Sequence, residues 1–234
     1  IAIMCTTILC EAAGIDPSLV IHEDADTLTT PDSGTSTASR QTVVTGEATR
    51  IAAEKLKKDM DEGKALADLE GKEYYGEYHP MTDGLTSTKE FPVRHVSYSY
   101  GVQVVFPDEN GKIEKVVAAY DVGTPVNIQS VEGQIEGGMV MGLGYALTEE
   151  FKCVDGYCKT KLGTLGLMRA TDVPKLEVKL VQGPGKIPLA YGAKGCGELC
   201  MIPTGAACAH AYYRLDGKLR TTMPLQDTYY KKTK

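Results

Sequence analysis

Apolar residues recur along this chain with two different periods, and the switches between them divide it into elements. Residues 1–13 form an apolar, helix-compatible run that stops at Gly14, as the last turns of a helix would. Leu19, Val20 and Ile21 centre a short strand over residues 18–24, and the polar Thr/Ser/Pro/Asp/Gly run at 27–37 is a loop. Residues 39–60 carry Val43, Val44, Ala48, Ile51, Ala52 and Leu56 at helical spacing, with Lys55, Lys57, Lys58 and Asp59 as the wetted end. Residues 61–92 are polar and irregular, with some helix. Residues 95–106 and 112–120 are strand-like around the hairpin loop Pro107-Asp-Glu-Asn-Gly111. A Gly/Pro-rich connection at 121–133 leads to a helix over 134–149, which is rich in glycine. A small hairpin over 151–160, a strand at 176–181, a Gly-rich loop at 183–199, a closing helix at 201–213, a short strand around Leu219 and a basic tail complete the pattern.

Composition narrows the function. The 234 residues suit one large domain or two small ones, and 42% hydrophobic content supplies a sizeable core. The formal charge of −6 argues against a general nucleic-acid or anionic-membrane surface. No apolar run reaches the roughly 18–20 residues that span a bilayer. The chain starts at Ile1, in an uncapped helix and without the basic segment of a signal peptide, as if cut from inside a larger protein. Seven cysteines follow neither an iron–sulfur nor a zinc spacing and fit reduced thiols in a cytoplasmic protein. Cys153 and Cys158 flank a turn signal and could face each other across a hairpin. His22, His79, His95 and His210 have no paired metal spacing.

Candidate chemistry lies in three loops, each read as leading into a helix. In Pro31-Asp-Ser-Gly-Thr-Ser-Thr-Ala-Ser-Arg-Gln41, short hydroxyls and backbone N–H groups meet a helix N-terminus, with Arg40 and Gln41 as further donors. That suits phosphate, although an ordinary Ser/Thr helix cap explains it as well. In Val131-Glu-Gly-Gln-Ile-Glu-Gly-Gly-Met-Val-Met-Gly-Leu-Gly144, each helical glycine costs about 1 kcal/mol relative to alanine, so a close neighbour must offset it. Gln134 stands at the expected helix start, within reach of a ligand, and tight packing is the plainer reading. In Tyr191-Gly-Ala-Lys-Gly-Cys-Gly-Glu198, three glycines bring backbone close to whatever Glu198 faces. Glu198 is expected to open a helix beside apolar Leu199, Met201 and Ile202. Partial desolvation there favours a general base, and stabilisation of the helix start is the competing reading. Lys194 is expected to be solvated. No hydrolase elbow, phosphate loop or complete dinucleotide fingerprint is present.

In this order and spacing, the three segments resemble the xanthine dehydrogenase/aldehyde oxidoreductase family of molybdenum hydroxylases. Pro31-Asp-Ser-Gly…Ser39-Arg-Gln looks like that family's cofactor loop, and Gly133-Gln-Ile-Glu-Gly-Gly…Gly142-Leu-Gly144 like its second cofactor element. Gly192-Ala-Lys-Gly-Cys-Gly-Glu198 followed by Ile202-Pro-Thr204 looks like its active-site signature. The resemblance implies an α+β (α/β sandwich-like) fold, the C-terminal half of the molybdopterin-binding domain, with two interleaved α/β subdomains over residues 1–234. It implies molybdopterin with molybdenum, the cytosine dinucleotide form included, lined by Ser36, Thr37, Ala38, Ser39, Arg40, Gln41, Gln134, Gly195 and Gly197. Glu198 would be the base in hydroxylation of an electron-poor carbon, with water-derived oxygen and a hydride passing to the molybdenum centre. No protein side chain would ligate the metal.

The chain lacks the family's iron–sulfur and flavin domains and the earlier half of the molybdenum domain. The resemblance therefore implies that the rest of the molybdenum domain and iron–sulfur and FAD domains or subunits are partners, and that this piece alone is inactive. Asn127-Ile128 stands where relatives often have Asn-Pro. Residues 163–174 and the loop around Val131 look most like bacterial xanthine dehydrogenases, so a purine such as xanthine or hypoxanthine is the first substrate, ahead of an aldehyde or another N-heterocycle. Two readings from other classes stay open: a non-catalytic scaffold fragment and a plain phosphate- or nucleotide-binding module.

Overall fold

The computed structural model describes residues 1–23, 25–182 and 187–231. The end of the expected 18–24 strand, Gly183-Pro-Gly-Lys186 and most of the basic tail lie outside them. The chain forms two units, each assembled from separated segments: Ile1–Ser99 with Val122–Ile128 and Gln182–Gly195, and Tyr100–Asp121 with Gln129–Val181 and Cys196–Lys234.

The first unit is helical. Helix α1, Ala2–Ala13, ends where Gly14 adopts φ 72° and donates its N–H to the Cys10 carbonyl, the left-handed cap that glycine takes without strain. Helix α2, Gln41–Asp61, packs on α1 through small residues. A β-carbon at Gly46 would come within 2.7 Å of Ile8 Cδ1, so the two helices approach closely here and a larger residue would have to displace the end of the Ile8 side chain. Ala12, Ala13 and Ala53 form one core cluster with Leu9, Ile15 and Leu56 around them, and Ile8, Ala190 and Ala193 form another.

Two expectations for this unit fail. The strand at 18–24 is instead a 3-10 turn, Pro17–Leu19, because Pro17 pre-sets the first position and the Asp16 carboxylate accepts the Ser18 N–H at 2.8 Å. Ile21 is 90% exposed, so the apolar triplet has no core to enter. Asp59 is buried rather than wetted. It accepts from Lys64 at 2.5 Å, from Lys72 and from Tyr74 at 2.6 Å, which pins the polar 61–92 excursion to the end of α2. These partners, Lys64 foremost, hold the Asp59 carboxyl well below the usual range. The excursion crosses α2 so closely that a β-carbon at Gly76 would lie 2.0 Å from the Ala48 carbonyl.

The second unit is a mixed three-stranded sheet with two helices. Strands β1, Tyr100–Pro107, and β2, Ile113–Asp121, pair antiparallel across the expected hairpin loop. Asp108 closes that loop by accepting the Asn110 and Lys112 N–H groups at 2.9 and 2.8 Å. Helix α3, Ile128–Leu147, leads through the small hairpin β3, Cys153–Val154, and β4, Tyr157–Cys158, to β5, Lys175–Leu180, which pairs parallel with β2. Helix α4, Ile202–Asp216, packs on β1. Val105, Val116, Ala118 and Tyr120 of the sheet are buried, as are Ile135, Met139, Leu143 and Leu147 of α3 and Cys208 and Tyr212 of α4. The strand expected around Leu219 does not form; that residue is exposed and in irregular structure. No helix of the described residues is long and apolar enough to cross a membrane.

Candidate functional site

In the first unit the Ser/Thr-rich loop is irregular and exposed from Pro31 to Ala38, with a turn at Ala38–Ser39 just before α2. Ala38 and Ser39 both adopt left-handed backbone, with φ of 55° and 53°. That geometry costs L-residues roughly 1–2 kcal/mol each and persists where surrounding structure demands it. Arg40 is the N-cap of α2 and its side chain makes no capping bond. Ser36 and Thr37 are exposed, while Ser39, Arg40 and Gln41 are half-buried.

The same unit holds the start of the third loop. A β-carbon at Gly195 would lie 1.5 Å from the Ser39 carbonyl oxygen, so the two backbones meet with no room for any side chain. Ser99 Oγ donates to the Gly195 carbonyl at 2.6 Å. Upstream, Ala190, Tyr191 and Gly192 have φ of 44°, 55° and 85°, a run of left-handed backbone that needs an anchor. Glu47 supplies it: buried at 4% exposure, it accepts the Ala190 N–H at 2.8 Å and a two-pronged bond from Arg50 at 2.9 and 2.7 Å. The Arg50 guanidinium holds the Glu47 carboxyl below its usual range despite burial. Lys194, expected in solvent, is 6% exposed, and its N–H donates to the Val122 carbonyl at 2.9 Å.

In the second unit α3 begins six residues before Gln134, which therefore lies in the second turn rather than at the helix start. Gln134 is exposed and donates Nε2 to the Gly197 carbonyl at 3.1 Å. The α3 glycines divide into two sets. β-Carbons at Gly138 and Gly142 would meet Cys200 Cβ at 2.4 Å and Thr204 Cβ at 2.5 Å, so these two exist for close packing. Gly133 and Gly137 have nothing within 4 Å and lie on the exposed face beside Gln134.

Glu198 does not open a helix. It sits in a turn over residues 197–201, with Met201 N–H bonded to the Glu198 carbonyl and Ile202 N–H to that of Leu199, each at 3.2 Å, and α4 starts only at Ile202. Its side chain is exposed in this chain, so the expected desolvation by Leu199, Met201 and Ile202 is absent. The turn is fixed from beneath. Gln103 Nε2 and Tyr120 Oη both donate to the Cys200 carbonyl, at 2.9 and 3.1 Å, and Gln103 also donates to Tyr120 Oη at 2.6 Å. Burial pushes the Tyr120 phenol up to about 12, so it stays a donor at neutral pH.

Glu47 and the Gln103–Tyr120 pair were not singled out from the sequence. The signals were present: Glu47 falls four residues after Val43 within the apolar stripe of α2, and Gln103 interrupts the inward side of an apolar strand.

The family model described as the molybdopterin cofactor-binding domain matches residues 1–174. The aldehyde oxidoreductase of Megalodesulfovibrio gigas is 32% identical over 85% of this chain and 23% of its own length. A probable xanthine dehydrogenase component of Bacillus subtilis is 29% identical over 91% of this chain and 32% of its own length. The solved aldehyde oxidoreductase of Desulfovibrio desulfuricans superposes with a TM-score of 0.79 at 29% identity, over 93% of this chain and 25% of that one. The chain thus spans about a quarter to a third of these relatives. Since the family match covers well over half of its residues and the mixed helix–sheet architecture is that of the solved relative, the chain belongs to the molybdenum hydroxylase family, as part of the molybdopterin cofactor-binding domain.

Proposed function

We propose that this chain supplies the general base and part of the pterin cradle of a molybdenum hydroxylase that adds water-derived oxygen to an electron-poor carbon. The observation that carries this reading is the seating of the Glu198 loop. Its backbone meets the first candidate cofactor segment at Ser39–Gly195 and the second at Gln134–Gly197. The two units are, on this reading, the two subdomains of the C-terminal molybdopterin-binding region.

The donor chemistry fits the group. Ser36 and Thr37 offer hydroxyls, Arg40 a guanidinium and Gln41 and Gln134 amides, which suit phosphate oxygens and the amide edge of a pterin. The left-handed pair Ala38–Ser39 redirects backbone at that segment, and Gly133 and Gly137 keep the face beside Gln134 free of side chains, so that a flat ring can approach. Ser36, Thr37, Ala38, Ser39, Arg40 and Gln41 would hold the tail, and Gln134, Gly195 and Gly197 the ring. When bound, molybdopterin with molybdenum supplies the two-electron redox chemistry. Glu198 then removes the proton of the water-derived nucleophile at a carboxylate oxygen. Bonds to the Cys200 carbonyl and from Gln134 keep the Glu198 turn in register while it does so.

A purine is the first substrate, supported by residues 163–174 and by the relative named as a probable xanthine dehydrogenase component. An aldehyde is the second reading, favoured by the relatives named as aldehyde oxidoreductases. The remainder of the molybdenum domain and iron–sulfur and FAD domains or subunits complete the enzyme, and this chain alone does not turn over. Seven free thiols fit a cytoplasmic setting.

Glu198→Gln in the full-length enzyme tests the assignment. Turnover is expected to fall by about a hundred- to ten-thousand-fold, with molybdenum and pterin content unchanged. Near-normal turnover with full loading would overturn it. Assay of the intact enzyme with xanthine and with an aromatic aldehyde separates the two substrates.

A further inference from the structure

Two cysteines flank Glu198, Cys196 just before its turn and Cys200 within it. Their positions differ in kind. Cys200 is buried and clamped: its carbonyl accepts from Gln103 and Tyr120, and its side chain rests on Gly138 of α3. Cys196 is only half-buried and stands between Gly195 and Gly197. Cys200 Sγ lies 2.7 Å from the Cys196 carbonyl oxygen. Nothing in the proposed oxidation chemistry uses either thiol.

We infer that Cys196 and Cys200 are an oxidisable dithiol, with Cys196 the sulfur that peroxide attacks and Cys200 the resolving thiol, so that oxidation closes a disulfide spanning Glu198. The Cys196 sulfur attacks one peroxide oxygen, the O–O bond breaks and water leaves, giving a sulfenic acid. The Cys200 sulfur then attacks that sulfur, the S–O bond breaks, a second water leaves and the S–S bond forms. Two thiols are oxidised and one hydrogen peroxide is reduced to two waters.

The roles follow from the surroundings. The hydrogen bond from Cys200 holds the Cys196 thiol below its ordinary range and burial opposes it, whereas that bond and burial both push Cys200 up. The thiolate, which is the nucleophile, therefore collects on the more accessible sulfur. Residues four apart in a helix-like turn have β-carbons about 5–6 Å apart, and a disulfide needs about 3.5–4.5 Å. Closure must draw the two together by about 1–2 Å. With the Cys200 carbonyl held by Gln103 and Tyr120 and Gly195 seated on the Ser39 carbonyl, the closure falls on residues 196–199 between them. Cys153 and Cys158 provide an internal control: they pair directly in register across β3 and β4, but both are exposed, and the Cys158 thiol donates to the Thr160 carbonyl.

Titration of the full-length enzyme with hydrogen peroxide, followed by alkylation and peptide mass spectrometry, tests this. The tryptic peptide of residues 195–214 is expected to lose two hydrogens, with the link between Cys196 and Cys200 and not Cys208, and dithiothreitol is expected to restore it. In Cys200→Ser, and independently in Cys200→Ala, a dimedone adduct at Cys196 is expected instead. In reduced enzyme Cys196 is expected to alkylate faster than the buried Cys200 at neutral pH. Amide exchange across residues 197–201 is expected to change on oxidation in the wild type and not in Cys196→Ser. Oxidation of Cys153 and Cys158 while Cys196 stays fully alkylatable would overturn the proposal, as would a link from either thiol to Cys208 or unaltered exchange in the disulfide form.

Discussion

The two ends of the Glu198 loop are held by opposite means. At Gly195 the restraint is backbone against backbone: the Ser39 carbonyl occupies the space of a missing side chain, and the small Ser99 hydroxyl donates to the Gly195 carbonyl. At Cys200 the restraint comes from long side chains reaching out of the sheet, Gln103 and Tyr120, onto one carbonyl. Backbone contact gives a fixed position that tolerates no added atom. Side-chain support tolerates substitution if an equivalent donor remains. The first end should therefore respond to any increase in volume, and the second to loss of hydrogen-bond donors.

Gly195→Ala breaks the comparison most severely. No rotamer relieves a β-carbon placed on a carbonyl oxygen, so a loss of about 3 kcal/mol or more is expected in urea unfolding, together with loss of bound pterin. If stability is unchanged, the backbone contact is not what fixes this end. At the other end Tyr120→Phe removes one of two donors to the Cys200 carbonyl, which keeps its bond from Gln103. About 1 kcal/mol of stability is expected to go, with pterin content retained.

Acid sharpens the picture for the anchor upstream of Gly195. Arg50 depresses the Glu47 carboxyl below its ordinary 4.5, so its contribution is fully present above that value and is lost as pH falls through the lower folded value. Glu47→Gln should flatten the acid limb of the stability–pH profile and cost about 2 kcal/mol at neutral pH. An unchanged acid limb would remove Glu47 from the role of anchor. The smallest effect separates the two glycine sets of α3. Gly137→Ala, which meets nothing, should stabilise the chain by about 0.5–1 kcal/mol while lowering pterin content. Gly142→Ala, which meets Thr204, should destabilise it. If Gly137→Ala leaves pterin loading intact, the open face of α3 is not part of the cradle.

The elements that could be read directly from the residues are those whose cause is local. The β1–β2 hairpin follows from apolar alternation and Asp108, which closes its own turn, and α2 follows from a stripe of apolar residues at helical spacing. The start of α3 was obscured because Pro125 and Gly133 look like loop residues, yet packing against Cys200 and Thr204 sustains a glycine-rich helix. The 18–24 triplet has strand-forming side chains but no neighbouring strand, and Asp16 with Pro17 offers a closer alternative. Of the candidate site, the three segments and Glu198 were legible as motifs. The burial of Lys194 and Asp59, the anchoring of Ala190 by Glu47 and the exposure of Glu198 were not.

By itself the amino-acid order determined the family, the three glycine- and serine-rich segments and the candidate base, because side-chain type and spacing express chemistry directly. Only the tertiary structure decided which glycines are packed and which are open, which charges are buried beside partners, and that Gln103 and Tyr120 hold the Cys200 carbonyl. Those properties depend on atoms far apart in the chain, and no local pattern encodes a neighbour that arrives from a hundred residues away.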